Sequence, residues 1–148
     1  MKNGPTSLII IVEDSPEDFD TTLRAFKKAG MKNNILRFEM GDECLDYLMG
    51  RGEYEGKRNE LPGLIMLDLN LPGTGGKDVL KIIKSDVNLK KIPVVVLTTS
   101  NDLRDIENCY QLGANSYIQK PVSFEGFTLA IKKLKEYWFE IAILPTQG

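Results

Sequence analysis

The chain has 148 residues with a net charge of −2 and no basic block, so it lacks the concentrated positive face that nucleic-acid binding normally needs. Its 42% of apolar and 27% of charged residues exclude a disordered or fibrous chain. No apolar stretch is long enough to span a bilayer and no signal peptide precedes the first predicted strand, so we expect a cytoplasmic protein that makes no membrane contact.

Short apolar runs alternate with longer amphipathic segments along the chain. The predicted strands are residues 8–12, 35–40, 64–67, 94–97 and 116–119. The predicted helices begin at Pro16, after a capping Ser15, and end at Gly30, then cover 42–49, 76–85, 102–112 and the segment from Ser123 onward. Residues 50–63 form the one long predicted loop.

Five strands separated by five helices predict an α/β fold with a parallel sheet covered by helices on both faces. Right-handed crossovers favour the flavodoxin-like, doubly wound arrangement with strand order 2-1-3-4-5. We expect one domain over residues 1–148, with a core of about 7–136 and a C-terminal extension at 137–148.

The sequence contains no histidine, which limits the chemistry available to it. Carboxylates, hydroxyls, lysine or a metal ion bound through oxygen must carry any reaction. The two cysteines, Cys44 and Cys109, lie singly in helix-like segments without metal-ligand spacing. We therefore expect two small buried thiols rather than a disulfide or a metal site.

Charged and polar residues follow four of the five predicted strands, at the edge where open α/β sheets bind ligands. These residues are Glu13 and Asp14, Asp68 and Asn70, Thr98 and Thr99, and Lys120. Three neighbouring carboxylates repel one another unless positive charge is present, which favours Mg²⁺ together with Lys120. Asp68 is central, so its carboxylate is a candidate nucleophile toward phosphorus, and the Thr98 hydroxyl is placed to bond the attached group.

This set of residues resembles the receiver domains of response regulators over nearly the whole chain. The resemblance is carried by Glu13-Asp14, residues 68–73, Thr98-Thr99 and Lys120-Pro121. It implies that Asp68 accepts the phosphoryl group, that Glu13 and Asp14 hold Mg²⁺, and that the Asn70 carbonyl completes the metal site. It also implies that Thr98 is the switch hydroxyl, that Lys120 pairs with the phosphoryl group, and that Tyr117 is the aromatic switch residue. Glu13 stands where an aspartate is commoner, and we expect its longer side chain to preserve function.

The loop before the third strand and the tail further resemble the small response regulators of cyanobacterial and bacterial phytochromes. The tail is more apolar than one final helix can bury against its own sheet, so it either folds back on its own domain or forms an interface, and we favour the interface. The residues expected there are Trp138, Phe139, Ile141 and Leu144. The resemblance implies a homodimer and a sensor histidine kinase as phosphoryl donor, and it leaves the downstream protein unidentified.

Four functions can be compared with the residues at the strand ends. A signalling switch accounts for the residues that follow all four strands. Such a protein assists its own phosphorylation and dephosphorylation without being an enzyme, and a phosphorelay intermediate is an alternative role for the same site. A phosphohydrolase needs a second acid two residues after the nucleophile, where this chain has Asn70. A flavin-binding module needs a hydroxyl- and glycine-rich first loop, which is acidic here. A receiver fold kept only for binding would not need the acceptor, metal and lysine positions together.

Overall fold

The computed structural model describes residues 7–99, 101–120 and 123–136. Five strands form the sheet: β1 (Ile9–Val12), β2 (Ile35–Phe38), β3 (Leu64–Leu67), β4 (Val94–Thr98) and β5 (Ser116–Gln119). Five α-helices follow them in turn: α1 (Pro16–Lys28), α2 (Gly41–Met49), α3 (Gly76–Ser85), α4 (Leu103–Gln111) and α5 (Phe124–Lys135). The predicted bounds of the third and fifth strands and of the third helix agree with the structure.

The sheet is parallel throughout, with strand order β2-β1-β3-β4-β5. The flavodoxin-like prediction is therefore confirmed. The strand order reverses between β1 and β3, and β1 and β3 are in register from Ile9 opposite Leu64 to Val12 opposite Leu67. This register brings the residues that follow β1 and β3 side by side at the switch point, where doubly wound folds bind their ligands.

Side chains of the central strands alternate between two apolar layers, which explains why these strands are apolar at every position. One layer contains Ile10 and Ile65 and packs against α2, α3 and α4. The other contains Ile11 and Met66 and packs against α1 and α5. Because β1, β3 and the apolar part of β4 are almost fully buried, packing fixes the positions of their carboxyl ends and of the residues that follow them.

Several local details differ from the expectation or refine it. The predicted loop 50–63 contains a 3-10 helix, Gly52–Tyr54, and Tyr54 packs edge-on against Tyr47 with ring centroids 5.3 Å apart. The Tyr47 hydroxyl donates to the Glu60 carbonyl at 2.6 Å, so side chains of α2 order this loop. Both cysteines are free and buried, as predicted. Tyr110 has half of its surface exposed on α4.

No helix within residues 7–99, 101–120 and 123–136 is long and apolar enough to cross a bilayer. The four residues expected at an interface lie outside the described residues, namely Trp138, Phe139, Ile141 and Leu144.

Candidate functional site

Three carboxylates meet at the carboxyl ends of β1 and β3. Oxygens of Glu13, Asp14 and Asp68 all lie within 4.8 Å of one another. Glu13 and Asp68 are buried, with 3% and 6% of their surface exposed, while Asp14 faces solvent. The backbone N–H of Asp68 donates to the Val12 carbonyl at 3.1 Å, so the sheet hydrogen bonding extends into the cluster and fixes its spacing.

Lys120, the residue directly after β5, supplies the cluster with positive charge. Its ammonium donates to Glu13 Oε1 at 2.7 Å and to Asp18 Oδ2 at 2.8 Å, and it lies 3.5 Å from Asp68 Oδ2. Only 12% of its side chain is exposed. The backbone N–H of Lys120 donates to the Thr98 carbonyl, which carries the β4–β5 pairing up to the site.

Burial and neighbouring charges set the electrostatics of this cluster. Burial raises the pKa of the Glu13 carboxyl to about 7, with Lys120 opposing the shift and Asp68 adding to it. Burial alone would lower the pKa of the Lys120 ammonium, but hydrogen bonds to Asp18 and Glu13 and the charge of Asp68 raise it above its ordinary value. The ammonium therefore stays charged, and the buried carboxylates still lack positive charge.

A divalent cation fits this charge deficit. The donors on Glu13, Asp14 and Asp68 are all carboxylate oxygens, the ligand type that Mg²⁺ prefers, and their spacing lets one ion contact all three. Asp14 is exposed, so an ion can enter from solvent. The structure thus brings together the predicted acidic ligands.

Asn70 connects Asp68 to Thr98, which ends β4 on the side of β3 away from β1. The Asn70 backbone N–H donates to Asp68 Oδ1 at 3.1 Å, and its side-chain amide donates to the Thr98 hydroxyl at 3.4 Å. Thr98 is fully buried and Thr99 is exposed. A strand places successive side chains on opposite faces, which explains the contrast between the two threonines. The hydroxyl that is linked to Asp68 through Asn70 is that of Thr98.

Tyr117 lies on β5 opposite Val96 of β4. It is partly buried and packs against the apolar layer beneath α2, α3 and α4. The residue is thus on the strand that carries Lys120, three positions before it.

Three contributors to the site went unnoticed in the sequence. The sequence position of Asp18 indicates only a favourable acid in the first turn of α1, yet its carboxylate is an acceptor for Lys120. The Arg37 Nε–H donates to the Glu13 carbonyl at 3.1 Å and fixes the backbone after β1. Asp42 accepts hydrogen bonds from the side chain and backbone of Thr74, which anchors the loop after β3 and lowers the pKa of the Asp42 carboxyl.

One signal could have identified Asp18. It lies four residues after Asp14, in the first turn of a helix that starts directly behind the acidic pair. This position marks Asp18 as a neighbour of the acidic pair. It does not reveal the partner of Asp18, because Lys120 lies 102 residues further along the chain.

Comparison with known proteins agrees with the geometry. Residues 9–132 match the family described as "Response regulator receiver domain". A Methanothrix harundinacea protein named as a probable methanogenesis regulatory protein, FilR2, is 40% identical over 131 residues, which cover 88% of this chain and 83% of the relative. The response regulator Rcp1 of Synechocystis is 34% identical, with 97% of both chains covered.

Solved structures show the same relationship. A phosphorylated cyanobacterial phytochrome response regulator, RcpA, superposes with a TM-score of 0.84 at 38% identity, covering 95% of this chain and 99% of that chain. The Mn²⁺-bound form of Rcp1 superposes with a TM-score of 0.82 at 34% identity, with the same coverage.

Proposed function

The chain belongs to the response regulator receiver domain family, and from this premise we propose that Asp68 is its phosphoacceptor. The chain is a response regulator of two-component signal transduction. The observation that carries the assignment of Asp68 is its placement: a buried carboxylate with two further acids on one side and a buried lysine ammonium 3.5 Å away. Asp68 differs from Glu13, which shares these neighbours, in that it also accepts from the backbone N–H of Asn70, whose side-chain amide donates to Thr98.

In the proposed reaction an Asp68 oxygen attacks the phosphorus of a phosphohistidine on a histidine kinase. A new P–O bond forms while the P–N bond breaks, and the electron pair leaves with the imidazole nitrogen. Glu13, Asp14 and Asp68, with the Asn70 carbonyl, would hold Mg²⁺, which supplies positive charge beside the transferring oxygens when bound. Lys120 donates hydrogen bonds to the same oxygens.

The attached group changes what the surrounding side chains bond. Its oxygens accept from the Thr98 hydroxyl, which now bonds the Asn70 amide, and from Lys120. Because Thr98 ends β4 and Tyr117 lies on the next strand, we propose that Tyr117 moves with the loop after β4. The altered surface then changes protein contacts, which makes the chain a signalling protein.

Two observations argue against the competing functions. Asn70 cannot donate or accept a proton as the general acid of a phosphohydrolase must, and its N–H groups are committed to Asp68 and Thr98. A module retained only for binding has no use for three carboxylates around one ammonium, an arrangement that is costly to bury. Onward transfer from Asp68, as in a phosphorelay, is compatible with the same site.

The partners we propose follow from the family and the likeness to phytochrome regulators. A histidine kinase, phytochrome-type in our proposal, donates the phosphoryl group. We also propose that residues 137–148 extend the single domain and form a homodimer contact. The support for this contact is the apolar composition of that segment, including Trp138 and Phe139.

The phosphoacceptor assignment is tested with acetyl phosphate as donor, read by intact mass. We expect a Mg²⁺-dependent adduct of one phosphoryl group in the wild type and none in Asp68→Asn, because the amide is not a nucleophile toward phosphorus. Asp20→Asn is a matched control, since Asp20 is an exposed acid that pairs with Arg24 on the far side of α1. An adduct retained in Asp68→Asn would contradict the assignment.

Replacing Asp14 tests the proposed metal ligands. Asp14→Asn removes an exposed carboxylate and should leave the stability of the metal-free protein within about 0.5 kcal/mol of the wild type. We expect Mg²⁺ to bind at least about tenfold more weakly to the variant, because a neutral amide replaces a charged oxygen ligand. The shift of the melting temperature with Mg²⁺ concentration measures this affinity. Equal shifts in the variant and the wild type would exclude Asp14 from the site.

A further inference from the structure

The Lys120 ammonium lies nearer to α1 than to the proposed phosphoacceptor. Its two short hydrogen bonds go to Glu13 and Asp18, at 2.7 and 2.8 Å, which is the range of charge-assisted bonds. The distance to Asp68 is 3.5 Å, at the outer limit of a hydrogen bond. In the unphosphorylated protein, the Lys120 ammonium is therefore bound mainly to Glu13 and Asp18, and its contact with Asp68 is weaker.

The first turn of α1 fixes the backbone of Asp18, whose carboxylate accepts from Lys120. Its backbone N–H donates to the Ser15 hydroxyl at 3.2 Å, and its carbonyl accepts from the Thr22 hydroxyl at 2.9 Å. Pro16 starts the helix and α1 packs against α5. The carboxylate is still 45% exposed, so water can replace the lysine at modest cost. The Lys120–Asp18 ion pair is therefore formed in this structure and can be broken at a modest cost in free energy.

Asp18 differs from the other two acids around the ammonium. Glu13 and Asp68 belong to the cluster of carboxylates that can share one metal ion, and Asp18 does not. A cation in that cluster would draw Glu13 away from the lysine but would leave Asp18 bound to it. Asp18 is then the acceptor that competes with the incoming phosphoryl oxygens for Lys120.

We propose that Asp18 is a positioning residue that holds Lys120 toward α1 in the unphosphorylated protein and slows its engagement with the phosphoryl group. This inference rests on the proposed function of Asp68. Loss of the Asp18 charge frees the ammonium to approach Asp68 and also removes a negative charge that repels an anionic donor. Asp18 therefore sets the rate of phosphorylation without touching the transferred group.

A purely structural alternative is that Asp18 only stabilises the helix start through the dipole of α1. Asp18→Asn retains the shape and the capping by Ser15, and Asp18→Glu restores the charge. Asp20→Asn changes the net charge by the same amount in the same helix, away from Lys120. Only the positioning role makes the Asp18 and Asp20 variants differ in their effect on Lys120.

The first readout is nuclear magnetic resonance of the lysine ammonium groups in the metal-free protein. Ammonium protons exchange rapidly with water unless burial and hydrogen bonds protect them, so a protected signal reports the held state. We expect a Lys120 signal in the wild type, in Asp20→Asn and in Asp18→Glu, and its broadening or loss in Asp18→Asn. Absence of the signal in Lys120→Met identifies it. An unchanged signal in Asp18→Asn overturns the proposal.

The second readout is the rate of phosphorylation by acetyl phosphate at saturating Mg²⁺. We expect Asp18→Asn to react about three- to fivefold faster than the wild type, the size of effect that one half-exposed ion pair exerts. Asp18→Glu and Asp20→Asn should react at the wild-type rate. Equal rates in both asparagine variants, or slower reaction of Asp18→Asn, overturn the proposal. A wild type that forms no adduct with acetyl phosphate or with a compatible histidine kinase instead overturns the assignment of Asp68.

Discussion

Replacing Lys120 with methionine is expected to cost about 2 kcal/mol of stability near pH 8.5 and to slow phosphorylation about a hundredfold. Methionine keeps the length and apolar stem of the side chain but removes the charge that Glu13, Asp18 and Asp68 share. Breaking a buried ion pair typically costs roughly 3–5 kcal/mol, and we expect less because Asp18 is half exposed and Glu13 can take up a proton.

The stability loss in Lys120→Met should depend on pH in a defined direction. A carboxyl with a raised pKa binds more protons in the folded than in the unfolded state, so its folded form loses stability as pH rises from the ordinary value toward the raised one. In the wild type that fall ends near the Glu13 pKa of about 7. Without Lys120, which lowers this pKa, the fall continues to higher pH. The cost of the substitution is therefore larger near pH 8.5 than near pH 6.

Urea unfolding of metal-free protein at the two pH values measures this cost. Mg²⁺ should recover part of the stability, because it supplies positive charge to the same carboxylates. Lys133→Met is a matched control, since Lys133 is an exposed lysine on α5 and its replacement should change stability by less than about 0.5 kcal/mol. An equal loss at both pH values would contradict the electrostatic role of Lys120.

The site residues that directly follow strands could be predicted from the sequence. Glu13, Asp68, Thr98 and Lys120 each lie directly after a predicted strand, and the order of a doubly wound sheet brings such positions together. Buried strands are also easily located, because continuous Leu, Ile and Val runs bounded by turn residues have few alternative structures.

The remaining contributors depend on packing between distant elements. Asp18 carries the signature of any acid in a first helical turn, and Arg37 that of a charged residue on an edge strand. Asp42 begins a helix and bonds Thr74 after the next strand. Propensity and periodicity describe each of these residues correctly as local structure. Their functional partners became visible only when the helix faces and loops were placed around the sheet.

We expect the second large effect from Gly76→Ala, because α3 approaches the end of β3 closely at this glycine. A Cβ at Gly76 would lie 2.3 Å from the Asp68 carbonyl oxygen and 2.6 Å from the Leu69 Cα. Both atoms belong to the backbone, so relief requires the start of α3 or the end of β3 to move. Alanine normally favours a helix over glycine by about 1 kcal/mol, but here we expect a loss of about 3 kcal/mol.

The same substitution should also slow phosphorylation, because the displaced backbone is that of Asp68. The Gly76 backbone N–H donates to the Leu69 carbonyl at 3.1 Å, so the helix start and the residue after the acceptor move together. A shift of about 1 Å at a reacting group costs up to about a hundredfold in rate. Glycine at this position therefore serves the placement of the acceptor as well as the packing of α3.

Gly75→Ala provides the matched control for this prediction. A Cβ at Gly75 meets no atom within 4 Å, and the backbone φ of −66° suits any residue. Gly75 is the N-cap of α3, where alanine is less favourable than glycine, so we expect a stability loss of at most about 1 kcal/mol and a phosphorylation rate near that of the wild type. If Gly76→Ala unfolded at the same urea concentration as Gly75→Ala, the close contact between α3 and the acceptor strand would not exist in solution. A lower midpoint in Gly76→Ala alone would establish that contact, and a slower reaction would connect it to Asp68.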